Sequence, residues 1–183
     1  MAEGGNRPVG LVVGSLVAIS FGLVFVVVNS GELGGWTTGV RIGGVVVAVA
    51  LLVGLVLAAR RAAAAPATDH KGFVDQRYWR IVGLEGIALF GGLVVINAVL
   101  GQPKVAVAWI AVVVGVHFVG LARLWGMDLY LVLGAVMAVL GLAGFVLAAA
   151  GASAGTIGLV SGVLSGVALF ASVAVALTGR ATA

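Results

Sequence analysis

The sequence has no cysteine, only three prolines in 183 residues, and a charged fraction of just 9%. Without cysteine the chain has no disulfide, no thiolate metal ligand and no thiol nucleophile. A soluble domain carries roughly a quarter charged residues. So small a charged fraction argues against a water-soluble protein. The net charge of +4 lies at the ends of apolar segments, where it indicates membrane topology, and we expect no nucleic-acid partner.

Apolar residues, in contrast, make up 62% of the chain, and its mean hydropathy is +1.28. A helix needs about 20 apolar residues to cross a bilayer, and the first such run is too long for a signal peptide. The predicted spans are Val9–Val28, Ile42–Ala59, Ile81–Leu100, Val105–Ala122, Leu129–Ala150 and Thr156–Leu177. We therefore predict an all-α bundle of six transmembrane helices, forming a single domain over residues 1–183.

The basic residues are distributed unevenly between the two sets of loops. Only Arg41 and Lys104 fall on one side, and the other eight fall on the opposite side. Because cytoplasmic loops are enriched in Lys and Arg, we predict that both termini are cytoplasmic. The basic loop 60–80, between the second and third spans, is then cytoplasmic too. We interpret it as a topological anchor, with a lipid-headgroup or partner site as the alternative. The predicted location is the cytoplasmic membrane, with membrane lipid as a partner.

Glycine is abundant, with 30 residues, and several lie at helical spacing. Gly158, Gly162 and Gly166 form a stripe on the sixth span, and Gly134 and Gly141 lie on one face of the fifth. Helices in lipid associate by close backbone approach at small residues. These glycines therefore predict helix–helix contacts.

Two ionisable residues lie inside the predicted spans, Glu85 in the third and His117 in the fourth. A carboxylate inside a membrane must pair, reach water or take up a proton, so it is a candidate functional residue. The short connection makes these two helices antiparallel neighbours, with Glu85 and His117 at nearly the same depth. We predict that they form a proton-sharing pair if both face inward. The alternative is that Glu85 snorkels to the interface or binds Arg80 or Arg123.

Helical periodicity places other residues around Glu85. Tyr78 lies seven residues before it, on the same face, and Gly92 on that face leaves room for a ligand or a neighbouring backbone. Asn97 is predicted to hydrogen-bond another helix. The two histidines are far apart and no helix is rich in acids, so we predict no metal site and no cofactor.

Two nine-residue stretches, RYWRIVGLE at 77–85 and GVHFVGLAR at 115–123, resemble segments of small bacterial membrane proteins. In size and six-span layout, the whole chain also resembles the membrane-bound terpene cyclases of actinobacteria, which cyclise prenylated indole or diketopiperazine compounds. That resemblance implies a lipophilic small-molecule substrate and cyclisation started by protonation. Such chemistry needs a desolvated acid, a dry apolar cavity and aromatic faces that stabilise a cation.

Under this hypothesis Glu85 is the general acid and His117 tunes or reprotonates it. Tyr78, Trp79 and Trp125 are the predicted substrate-binding aromatic residues. A second hypothesis is a small proton-coupled transporter or channel that uses Glu85 and His117 as a relay, in a homo-oligomer because six short spans leave little room for a pore. A third is an accessory subunit without chemistry of its own.

The predicted topology can be tested with single cysteines, because the native chain has none. We expect a membrane-impermeant maleimide to label Gln102→Cys in intact cells, since this loop is predicted to be external. Thr182→Cys, near the C-terminus, should be labelled only after the membrane is permeabilised. The reverse pattern would contradict the predicted orientation.

Overall fold

Hydrocarbon offers no hydrogen-bond partner to the backbone, so an apolar segment that crosses a bilayer satisfies its own peptide groups as a helix. A computed structural model describes residues 7–62 and 76–179, with side chains from Val12 onward. Every regular element in these two ranges is helical.

Six long helices follow one another along the chain, two of them interrupted by a π-helical turn. They are α1 (Arg7–Asn29), α2 (Thr37–Ala62), α3 (Gln76–Val94, continued by a π turn at Val95–Val99), α4 (Ala106–Trp125), α5 (Asp128–Ala149) and α6 (Ala154–Ile157, a π turn at Gly158–Val163, then Leu164–Leu177). Short 3₁₀ turns at Gly34–Trp36 and Pro103–Val105 lead into α2 and α4.

Each of the six helices contains a stretch long and apolar enough to cross a membrane, which confirms the predicted all-α, six-span fold. The main differences lie at the helix ends. α2 begins at Thr37 and ends at Ala62, and α3 begins at Gln76. Both ends of the predicted loop 60–80 are therefore helical, and residues 63–75 lie outside the described residues. Hydropathy detects the hydrocarbon-crossing part of a helix but not its polar interfacial turns.

The closest helix pair is α4 and α5, which touch through small residues. A Cβ added at Gly115 would lie 2.6 Å from the backbone nitrogen of Ala138 and 2.7 Å from the carbonyl oxygen of Gly134. A Cβ at Gly141 would lie 2.6 Å from the carbonyl oxygen of Ala108. The two backbones are therefore in direct contact, as the glycines of the fifth span predicted. Gly126, with φ of 66°, ends α4 in the left-handed conformation and allows the short turn to α5.

The glycine stripe of α6 packs against α1. A Cβ at Gly166 would lie 2.6 Å from the carbonyl oxygen of Gly22, and one at Gly158 would lie 2.9 Å from that of Asn29. The side chain of Asn29 occupies the space above Gly162. All three glycines of the predicted stripe therefore form one interface. On its other side, α6 binds α5 through Ser161, whose hydroxyl donates to the carbonyl oxygen of Leu140 at 2.9 Å.

The remaining helices differ in how far they enter the bundle. α6 contacts α1, α2, α4 and α5 and is therefore central, with Leu169 almost fully buried. α3 packs mainly on α4, and no residue of Gln76–Val94 is buried. The amide of Asn97 donates to the carbonyl oxygen of Leu93, one turn earlier in the same helix, at 2.8 Å. The predicted bond from Asn97 to another helix is thus wrong, because Asn97 is exposed at the end of α3 and its amide bonds to its own helix.

We expect the same substitution, glycine to alanine, to have different effects on stability inside and outside the α4–α5 contact. Gly115→Ala should destabilise the protein by about 1–3 kcal/mol, because the added methyl meets backbone atoms that cannot move without separating the helices. Gly91→Ala, on α3, has nothing within 4 Å of the new Cβ. It should leave stability unchanged or raise it by up to ~1 kcal/mol, since alanine favours helix. Thermal unfolding in one detergent measures both, and equal unfolding temperatures would contradict the prediction.

Candidate functional site

Helices α3 and α4 run antiparallel in a regular register that can be followed along their contact. Ile81 lies against Gly120, Glu85 against His117, and Gly92 against Trp109. The absence of a side chain at Gly120 lets Ile81 approach closely, since a Cβ there would lie 3.4 Å from the Ile81 Cγ2 atom. The register therefore brings the two intramembrane ionisable residues to the same level.

The ring of Trp109 fixes one end of this register. Its indole Nε1 donates a hydrogen bond to the carbonyl oxygen of Ala88 at 3.1 Å. The ring occupies the space where a side chain of Gly92 would lie. The room predicted beside Gly92 is therefore taken by an aromatic ring, and neither a ligand nor another backbone is placed there. The Trp109 ring of α4 can pack directly against the α3 backbone at this point because Gly92 has no side chain.

The side chains of Glu85 and His117 meet at the α3–α4 contact. The Nδ1 atom of His117 lies 2.9 Å from the Oε2 atom of Glu85. The angle of approach departs from that of an aligned hydrogen bond, so Nδ1 has no well-directed partner. The His117 side chain is 12% exposed and that of Glu85 is 23% exposed. This is a close acid–base pair at the edge of the bundle, and it is largely covered by protein.

His117, and neither of the two arginines considered as alternatives, is the partner of Glu85. Within the described residues, neither Arg80 nor Arg123 lies within ion-pair distance of the carboxylate, and His117 does. The acid therefore contacts an imidazole, whose ring nitrogens can donate or accept a hydrogen bond, and not a guanidinium, which can only donate. Among the same residues, no third His, Cys, Asp or Glu joins the pair to form a cluster of metal-binding side chains.

Aromatic side chains form a connected layer between this pair and the nearer end of the helices. Tyr78 of α3 stacks on Trp125 of α4, with ring centroids 5.9 Å apart and planes 18° apart. Trp125 contacts Tyr130 of α5, and Tyr130 contacts Phe118, which follows His117 in the chain and touches its ring. We call Tyr78, Trp125, Tyr130 and Phe118 the aromatic layer. It joins three helices and reaches the imidazole.

The three aromatic residues predicted to bind substrate occupy different positions. Tyr78 and Trp125 belong to the aromatic layer, and their stacked rings contact each other. Trp79 meets Tyr78 edge-on, at 5.5 Å between centroids, and is 63% exposed. Trp79 therefore points outward from the α3–α4 contact. Sequence reasoning missed Phe118 and Tyr130. The adjacency of Phe118 to His117 was a usable signal, but nothing local indicated that Tyr130 would turn towards α4.

The surface next to the Glu85–His117 pair is formed by exposed apolar side chains. Two open depressions on the described surface lie elsewhere, one along α2 beside Leu52 and Val56, the other at the α4–α5 turn beside Arg123 and Asp128. Leu84, next to Glu85 in the chain, is 67% exposed, and Val116, next to His117, is 60% exposed. An exposed apolar side chain therefore lies next to each member of the pair in the chain.

Comparison with known proteins finds no family model, no curated protein and no solved structure that matches the chain. The resemblance to terpene cyclases therefore stays a prediction.

A double-mutant cycle on stability tests the contact between Glu85 and His117. We expect Glu85→Gln and His117→Asn to be non-additive by about 0.5–3 kcal/mol, because each replacement removes the partner of the other. The matched control is Glu32→Gln, an exposed acid in the α1–α2 connection, combined with His117→Asn. This pair should be additive within about 0.5 kcal/mol. Additivity in both cycles, measured by thermal unfolding in one detergent, would show that Glu85 and His117 do not interact.

Proposed function

We propose that the protein is an enzyme of the cytoplasmic membrane in which Glu85 protonates a lipophilic, prenylated substrate and so starts its cyclisation. The observation that carries the proposal is the contact of 2.9 Å between the Glu85 carboxylate and the His117 imidazole within the membrane-spanning part of the bundle. Intramembrane ionisable residues are costly to bury and are functional sites by default. An acid beside a base at this depth is suited to general acid–base chemistry.

The chemical steps balance without an oxidant or reductant. Protonated Glu85 delivers its proton to one carbon of a substrate alkene, which leaves a carbocation on the other carbon. A second double bond of the substrate attacks this cation, forming a carbon–carbon bond and moving the charge. Loss of a proton to Glu85, either directly or by way of His117, then gives a neutral cyclic product with the formula of the substrate. The pair returns to its starting state, so the net reaction is an isomerisation.

The surroundings of the pair suit a substrate that arrives through the bilayer. The exposed side chains next to Glu85 and His117 are apolar, and prenyl chains partition into hydrocarbon. The aromatic layer provides π faces near the imidazole, and such faces attract cations. A carbocation also requires protection from water. Since the pair lies at the edge of the bundle, the substrate and the surrounding lipid would complete the dry site on that side.

Substrate conversion is the direct test of the proposed acid. In membranes or detergent, Glu85→Gln should abolish turnover of a prenylated indole or diketopiperazine, because an amide cannot deliver the proton. His117→Asn should lower turnover by about 10²–10⁴-fold, the usual contribution of a general acid or base. Glu32→Gln is the matched control and should retain full activity. Undiminished turnover by a folded Glu85→Gln variant would contradict the proposal.

The alternative of a proton relay has a different signature. Purified protein in liposomes would then carry a proton flux that Glu85→Gln abolishes, with no chemical change in any added prenyl compound. Among the described residues, the buried polar side chains are all serines, namely Ser15, Ser30, Ser161, Ser165 and Ser172. Such an interior favours an enzyme that exchanges protons locally over a path that carries them across the bundle.

A further inference from the structure

Two arginines extend from the ends of α3 and α4 at one level of the bundle. Tyr78 stacks on Trp125, so the neighbouring positions Arg80 and Arg123 lie at the same height along the two antiparallel helices. Both residues are exposed. Within the described residues neither guanidinium forms an ion pair, although Arg123 shares a depression with Asp128 of α5. We call this level the arginine end of the α3–α4 pair.

Helical geometry places the two arginines on the same side of that pair. Each residue advances about 100° around a helix axis, and Glu85 and His117 face each other. From these directions, Arg80 of α3 and Arg123 of α4 both point to the outer side of the pair, away from the bundle. Leu84 lies four residues after Arg80, and Val116 lies seven residues before Arg123, so both share this side. Their exposures of 67% and 60% agree with this assignment.

The outer side of the pair is thus an apolar strip with basic residues at one end, namely Arg80 and Arg123, with Arg77 one turn further along α3 on the same side. Leu84 and Val116 lie deeper in the membrane, and Ile81 approaches Gly120 closely between the helices. We propose that this strip binds an anionic phospholipid, with its phosphate between Arg80 and Arg123 and one acyl chain along Leu84 and Val116. Arginine binds phosphate oxygens through a fork of N–H donors. An apolar strip below the phosphate is the position of an acyl chain.

Charge and side-chain type favour a lipid over a protein partner. The carboxylate of Asp128 reduces the positive charge at this end but leaves a net excess from Arg80 and Arg123. Trp79 is exposed at the same level, and tryptophan is enriched at the membrane interface where lipid headgroups lie. Basic residues at such an interface attract anionic headgroups by about 1 kcal/mol each. The site does not depend on the chemistry proposed for Glu85, so it can be tested separately.

The experiment measures lipid binding to the purified full chain by native mass spectrometry. The probes are dioleoylphosphatidylglycerol, dioleoylphosphatidylcholine and inorganic phosphate. We expect Arg80→Gln with Arg123→Gln to weaken phosphatidylglycerol binding on the order of 30-fold, about fivefold for each charge. The control is Arg60→Gln with Arg61→Gln, which removes two exposed cations from the last turn of α2. It should change binding by less than about twofold, because these two arginines lie on α2 and are not part of the strip that holds the acyl chain.

Each outcome decides for or against the proposed lipid. Equal loss in the two double variants would show a general attraction to positive charge and overturn the site. Equal binding of phosphatidylcholine and phosphatidylglycerol would show that the net negative charge of the headgroup makes no difference, and would overturn the choice of an anionic lipid. Displacement of phosphatidylglycerol by millimolar inorganic phosphate would indicate a free-phosphate site instead. If the double variant does not fold, the single variants Arg80→Gln and Arg123→Gln, each about fivefold weaker, provide the same test.

Discussion

Direct backbone contact at glycine is the interaction on which the bundle depends. In lipid, apolar side chains gain little by leaving the hydrocarbon for each other, so helices associate where their backbones can approach. Gly115, Gly134 and Gly141 provide such contacts between α4 and α5, and Gly158 and Gly166 provide them between α6 and α1. These two interfaces hold α6 at the centre and fix the orientation of α4. The position of His117 follows from that orientation.

Helix α3 is attached differently, because its neighbour α4 meets it through larger side chains. Trp109 bonds to the backbone of Ala88, Tyr78 stacks on Trp125, and Glu85 meets His117. The candidate reactive pair is therefore also one of the contacts that hold α3 in place. Replacing Glu85 or His117 would alter a helix contact as well as a chemical group.

The site residues differ in how far they could be predicted. Glu85 and His117 were recognisable because an ionisable residue in an apolar span is rare and costly, and a short connection sets their depths. Gly92 and Asn97 were misjudged for a common reason. Helical spacing shows which residues share a face but not what lies opposite that face. The ring of Trp109 fills the space at Gly92, and Asn97 is exposed, with its amide bonded to the backbone of its own helix.

The sequence by itself determined the class of the protein, the number of its spans and the approximate ends of each helix. These features can be predicted because each depends on one segment alone. The free energies of transferring the residues of that segment from water to hydrocarbon add up, and the sum decides whether it spans the membrane. Only the tertiary structure decided that, within the described residues, Glu85 pairs with His117 and with neither Arg80 nor Arg123, that Tyr130 and Phe118 join the aromatic layer, and that Trp79 points outward. These facts depend on how each helix is rotated about its axis. That rotation is set by several helices packing at once, and no single segment encodes it.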